Sequence, residues 1–190
     1  MILPIRAFGD PVLRKKGKEI SKDHPELKTF IENMFETMAD ANGIGLAAPQ
    51  VGLDLRLFVV DLSPLADDED YSDIAEELKT FRKVLINPTI LEETGELWKF
   101  NEGCLSIPDI REDVARHETI TIEYFDENFK KHTETFSDMR ARVIQHEYDH
   151  IEGVLFTDHL SSLKKKMIKG KLVKISQGEV TVNYKMRFPK

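Results

Sequence analysis

The run Gln145-His146-Glu147-Tyr148-Asp149-His150 sets two imidazoles four residues apart with a carboxylate beside them. On a helix, residues at that spacing project from one face about 6 Å apart along the axis, so both histidines can reach one metal ion. The pattern points to metal-dependent hydrolysis. Two histidines hold a metal incompletely, and the third ligand decides the class. One zinc peptidase family extends the motif past a glycine to a further histidine; here Gly153 is in register, but Phe156 stands where that histidine would be. His159 comes three residues late and reads as a surface or loop residue. Glu179, the one glutamate beyond the expected helix stop, lies in Ser176-Gln177-Gly178-Glu179-Val180, a poor helix.

The remaining candidate is upstream. Cys104, the only cysteine, sits in Asn101-Glu102-Gly103-Cys104-Leu105-Ser106-Ile107-Pro108 between strand-like segments. A lone cysteine is more often an inert, small core residue, and the residues alone leave that alternative open. Gly103 permits close backbone approach, Pro108 limits the loop, and a thiolate is a strong ligand for a first-row metal. Cys104, His146 and His150 would supply three ligands and leave a fourth position open, as a catalytic centre requires. By ligand type this set suits zinc.

A helix must carry the histidines. Ser137 followed by Asp138 predicts its N-cap and acidic first turn, Gly153 its C-terminal stop, and apolar Met139, Val143 and Ile144 predict a buried face. An earlier helix is expected from near Asp23 or His24, with Pro25 in its first turn, to Asn42-Gly43. Leu27, Phe30, Ile31, Met34, Phe35 and Met38 form its core stripe. Leu55 to Leu62 reads as a buried strand, and the acids from Asp67 to Asp73 as a solvated insertion ahead of a short helical turn over 74–81. Lys83 to Ile86, closed by Asn87-Pro88, and Thr89 to Trp98, broken at Gly95, are further strands. Thr119 to Phe125 and Lys131 to Phe136 form a hairpin around Asp126-Glu127-Asn128. The order predicts an α+β fold, with antiparallel or mixed β-sheets packed around a central metal-binding helix, an N-terminal helix and a C-terminal tail.

Composition sets the frame. The 190 residues, 41% hydrophobic, suffice for one catalytic domain over 1–160 followed by a basic tail over 161–190, helical in part and continuous with it. A single cysteine excludes an intrachain disulfide. Neither a signal-like stretch in Met1–Asp10 nor a membrane-spanning run is present, so a cytoplasmic protein with no membrane or DNA partner is expected. The net charge of −7 hides an asymmetry: residues 161–190 hold nine Lys or Arg against one acid. Ser161 or Ser162 could cap a helix through Lys164, Lys165, Lys166 and Lys169. That helix is either a solvated face or a contact for an acidic partner such as ribosomal RNA.

Three segments carry a resemblance. Gly43-Ile44-Gly45-Leu46-Ala47-Ala48-Pro49-Gln50, Glu102-Gly103-Cys104-Leu105-Ser106 and Gln145-His146-Glu147-Tyr148-Asp149-His150 resemble the three signature motifs of peptide deformylase, in that family's order. The first is not a phosphate loop, since no lysine follows its glycines at the required spacing. The resemblance implies hydrolytic removal of the formyl group from N-formylmethionyl peptides. One divalent metal per chain would be held by Cys104, His146 and His150, with Fe(II) expected in cells and zinc, nickel or cobalt as alternatives on isolation. Glu147 would move the proton of the attacking water, while the Gln50 side-chain amide and the Leu105 N–H would stabilise the oxyanion. Substrate contacts fall to Gly43, Ile44 and Gly45, where the peptide would add as a strand and Gly45 would leave formyl-sized space. Others fall to Glu102, Gly103 and Arg111. Met139 and Val143 would wall the methionine pocket, with Arg142 near its mouth, and Glu102 would pair with Arg116.

Overall fold

The computed structural model describes residues 1–189. The chain runs β1 (Ile5–Arg6), α1 (Leu27–Asp40), β2 (Gly45–Ala47), β3 (Leu57–Asp61), α2 (Ala75–Lys79), β4 (Arg82–Cys104) and β5 (Ile107–Phe125). It continues through β6 (Lys131–Ser137), α3 (Asp138–Ile151), α4 (Ser162–Ser176) and β7 (Met186–Arg187). Five strands form an antiparallel sheet in the order β2-β3-β4-β5-β6, while β1 and β7 pair in parallel as a separate two-stranded sheet. This is the expected α+β architecture with the histidine helix at its centre.

The apolar stripe of α1 behaves as its 3.6-residue period demands: Leu27, Ile31, Met34, Phe35 and Met38 are buried, packing with Leu57, Val59 and Ile86 of the sheet. The helix starts at Leu27 rather than Asp23 or His24. Glu26 adopts a left-handed conformation (φ 57°) immediately after Pro25, so regular helix can begin only beyond it. Centrally, α3 packs Ala141, Ile144 and Ile151, all fully buried, against Phe58, Val60, Ile120 and Ile122.

The caps of α3 differ in detail from expectation. Ser137 does not cap with its side chain; its hydroxyl pairs with Thr119 Oγ1 at 2.9 Å, whereas the Asp138 carboxylate accepts the Arg140 N–H at 3.0 Å. At the other end Gly153 takes φ 75°, as a helix stop requires, and the Ile151 carbonyl accepts the Gly17 N–H at 2.7 Å.

The largest departure from the sequence reading lies in β4 and β5. Asn87-Pro88 and Gly95 do not end strands; β4 continues through them for 23 residues, and β5 begins at Ile107 rather than Thr119. Register shifts at Ile86/Thr89, Ile90/Glu92 and Thr94/Leu97 absorb these residues as bulges. The ribbon thereby carries Glu102, Gly103 and Cys104 at its tip, beside the turn Leu105-Ser106, to α3. No helix among the described residues is long and apolar enough to cross a membrane.

Candidate metal centre

Three side chains from two elements converge on one point. Cys104 ends β4, His146 and His150 lie one turn apart on α3, and one Cys or His ligand atom from each lies within 4.8 Å of the others. His150 Nε2 stands 3.3 Å from Cys104 Sγ, and the two imidazole centroids are 5.1 Å apart at 77°. His146 Nδ1 donates to Glu102 Oε2 at 2.9 Å, which fixes the tautomer and turns Nε2 toward the cluster. A half-buried thiol and two imidazoles facing one another fit a borderline-soft divalent cation. Burial alone would push the Cys104 thiol up, but the imidazoles of His150 and His146 bring it down to about 5, a thiolate ready to ligate. Phe156, which occupies the place of a third histidine, stacks its ring on His146 at 6.1 Å.

Glu102 organises the next layer. Its carboxylate accepts from Arg116 Nε at 2.7 Å and Nη2 at 3.0 Å, from Arg142 Nη1 at 2.8 Å and from His146. Burial would raise its pKa; the bonds from His146 and Arg116 instead hold it well below the usual carboxylate range. The expected Glu102–Arg116 pair is therefore present, extended on the far side by Arg116 Nη1 to Asp149 at 2.8 Å. Arg142 is among the residues that border the pocket, with its guanidinium drawn inward to Glu102. It is 1% exposed, stacked 4.2 Å over Trp98 and bonded to the carbonyls of Trp98 and Val114.

Glu147 follows His146 on α3 and lines the same cleft as Glu102. It is 4% exposed, with Oε2 lacking any hydrogen-bond partner among the described residues. Burial pushes its carboxyl up to about 7 against the opposing pull of His146 and His150. A Cβ on Gly45 would lie 2.8 Å from Glu147 Cδ, so the missing side chain makes room for this carboxylate at the edge of the cleft. The β2 register adds a second role. Asp61 N–H donates to the Ile44 carbonyl and Gly45 lies opposite Val60, so antiparallel alternation turns the Gly45 N–H and C=O away from β3, toward the open edge of the sheet.

Gln50 is 1% exposed. Its Oε1 accepts the Ala47 N–H at 2.8 Å, which leaves Nε2, a donor, 3.5 Å from Cys104 Sγ and 3.3 Å from Ser106 Oγ. Leu105 lies in the turn after Cys104, its side chain against Gly43, where a Cβ would come within 2.8 Å of Leu105 Cδ1. Gly103 sits opposite Arg111 across the β4–β5 ribbon, and Arg111 folds over it to reach Asn101 Oδ1 at 3.1 Å.

Gln50, Glu102, Gly103, Cys104, Leu105, Arg111, His146 and Glu147 border one cleft of about 960 Å³, which Met139, Val143 and Phe100 also wall. Two further walls were not legible as such. Leu65, Asp68 and Tyr71 of the acidic insertion line the cleft, as do residues 181–184 of the C-terminal segment. The embedded Leu65 and Tyr71 were the only sequence signal for the first; for the second there was none. His159 stays out of the metal cluster and pairs with Asp149 Oδ2 at 2.8 Å.

Known proteins resemble this chain in sequence and fold. A family model described as polypeptide deformylase matches residues 2–166. The peptide deformylase of Christiangramia forsetii is 64% identical over 190 residues, covering 100% of this chain and 97% of that one. That of Flavobacterium johnsoniae is 59% identical over 189 residues, covering 99% and 96%. A crystal structure of a peptide deformylase from Legionella pneumophila superposes with a TM-score of 0.79 at 37% identity, covering 94% of this chain and 98% of that one. The chain belongs to the polypeptide deformylase family, enzymes that remove the N-formyl group from newly synthesised polypeptides.

Proposed function

We propose that Cys104, His146 and His150 hold the single divalent metal of this deformylase, and that Glu147, Gln50 and Leu105 carry the chemistry beside it. The observation that carries the reading is the convergence of three donor atoms within 4.8 Å, with an unpartnered, buried carboxylate alongside. A divalent cation bound there supplies Lewis acidity and makes water nucleophilic at neutral pH. Glu147, with its carboxyl brought near neutrality by burial, takes the proton of the attacking water and returns it to the leaving amine. As the formyl oxygen gains charge, Gln50 Nε2 and the Leu105 N–H donate to it, each contributing about 3 kcal/mol. The outward-facing groups of Gly45 pair with the peptide backbone as an added strand, which recognises a chain without reading its sequence. Met139 and Val143 receive the methionine side chain, and Arg111, beside Gly103, meets the peptide beyond it.

Fe(II) is the metal we assign in cells, and the cytoplasm the compartment. The exposed lysines of α4 suit a transient contact with ribosomal RNA. The test is deformylation of formyl-Met-Ala-Ser with and without a chelator, run beside Glu147→Ala and with metal analysis after anaerobic reconstitution. Activity should vanish with chelation and return with Fe(II), and the variant should keep its metal while losing turnover. A variant that retains metal and full activity would sink the assignment of Glu147; full activity with zinc alone would sink that of iron.

A further inference from the structure

The turn that follows Cys104 is held by both ends of the chain. The N-terminal side contributes the Phe8 N–H, which donates to the Ser106 carbonyl at 2.8 Å. The C-terminal side contributes Tyr184, whose hydroxyl donates to the Leu105 carbonyl at 2.8 Å. Tyr184 belongs to a strap, residues 181–184, that leaves the end of α4, lines the substrate cleft and then joins β7. The strap is fastened beyond the cleft, where the Ile5 N–H donates to the Lys185 carbonyl at 2.8 Å and the Ala7 N–H to the Arg187 carbonyl at 3.0 Å. The family model stops at residue 166, so the strap lies outside the region that it describes.

We propose that Tyr184 is a positioning residue for deformylation, acting through the Leu105 carbonyl to hold the neighbouring Leu105 N–H on the reacting carbonyl; this rests on the role proposed above for that N–H. Three restraints converge on Leu105. Its side chain packs on Gly43, the preceding residue is anchored through its thiol at the metal centre, and its carbonyl is tied to Tyr184. With those fixed, the N–H keeps one direction and need not reorient as charge develops, which is the condition for electrostatic stabilisation of an oxyanion. Burial, together with the charges of Cys104 and Asp109, pushes the Tyr184 phenol above its ordinary pKa, so the hydroxyl remains a donor. The acceptor of the phenol's hydrogen bond is backbone, not a side chain of the metal centre or of the Glu102 network.

Tyr184→Phe removes this bond and keeps the ring, while β7 keeps the strap in place. In the metal-loaded enzyme, assayed on formyl-Met-Ala-Ser, kcat should fall roughly three- to tenfold, the range of one neutral hydrogen bond. KM and metal content should stay at wild-type values, and the melting temperature should fall by no more than about 2–6 °C, the share of the same single bond in stability. An unchanged kcat, or a loss confined to KM or to metal content, would overturn the positioning role. The wild-type enzyme in the same assay keeps the two readings apart: if it fails to deformylate, the function assignment fails, whereas a fully active Tyr184→Phe enzyme defeats only this inference.

Discussion

Glu147 is the residue whose environment says most about the chemistry. A carboxylate buried beside two imidazoles without a partner for Oε2 is costly unless it has work to do, because an unpaired buried acceptor loses its hydration without compensation. Gly45 makes the arrangement feasible. Any side chain there would meet Glu147, with a Cβ 2.8 Å from Cδ and 2.9 Å from Cγ, and the β2 backbone is tied to β3 and cannot withdraw. Gly45→Ala should therefore displace the carboxylate while leaving Cys104, His146 and His150 in place. A misplacement on the order of 1 Å can cost about 10²-fold. We expect kcat/KM to fall by one to two orders of magnitude, on the order of 10- to 100-fold, with metal content unchanged. Wild-type turnover in Gly45→Ala would mean that the position of Glu147 does not matter. The Gly-Ile-Gly motif was visible in the sequence, but the reason for its second glycine was not, because Glu147 is 102 positions away in the chain.

At the level of elements, the Glu102 network joins the β4–β5 ribbon to α3. One carboxylate, 4% exposed, pairs with both Arg116 and Arg142, 6% and 1% exposed, and orients His146, while Asp149 supplies a second acid to Arg116. Removing one partner of such a network leaves uncompensated buried charge, which typically costs about 3–5 kcal/mol. Glu102→Ala should lower the melting temperature by on the order of 10 °C and weaken metal retention through the freed His146. A melting curve within about a degree of wild type would contradict this, since an exposed pair contributes only about 0–1 kcal/mol. The pH dependence has a definite sign. The folded-state pKa of Glu102 is depressed, so its contribution is complete above the ordinary carboxylate range and is lost only as pH falls through the folded value. The helices were legible before the structure because a 3.6-residue stripe and end signals act locally: the core stripe of α1, Gly153 after α3 and Ser161 before α4 all sit where expected. The ribbon was not. Asn87, with φ 49°, and Gly95, with φ 78°, read as strand ends, and only pairing with a partner strand shows that they are bulges inside a continuous ladder. The β1–β7 pairing was equally hidden, since two-residue strands from opposite ends of the chain carry no periodicity of their own.

Across the whole molecule, the basic C-terminal segment is part of the folded body. Ile168 and Ile175 of α4 are buried with Leu13, Ile107, Val114 and Phe156, and β7 closes on β1. Removing residues after Leu160 would therefore strip apolar cover from the core and release the strap as well as the charge, so truncation cannot isolate an electrostatic contact. Charge reversal can. Lys165, Lys166 and Lys169 are exposed on α4, whereas Lys164 is already paired with Glu112 at 2.6 Å. Each cation that neutralises a phosphate releases counterions and adds about 0.7–0.9 to the slope of log affinity against log salt. If α4 meets ribosomal RNA, reversing all three to Glu should weaken ribosome association at low salt and flatten that slope by roughly two units. Deformylation of a free tripeptide should not change, because these lysines do not line the cleft. Ribosome binding measured by sedimentation at several salt concentrations, beside the tripeptide assay, separates the outcomes. Unaltered affinity and slope in the folded, active triple variant would leave the lysines as a solvated face, with the role of the C-terminal segment confined to the core and the substrate cleft.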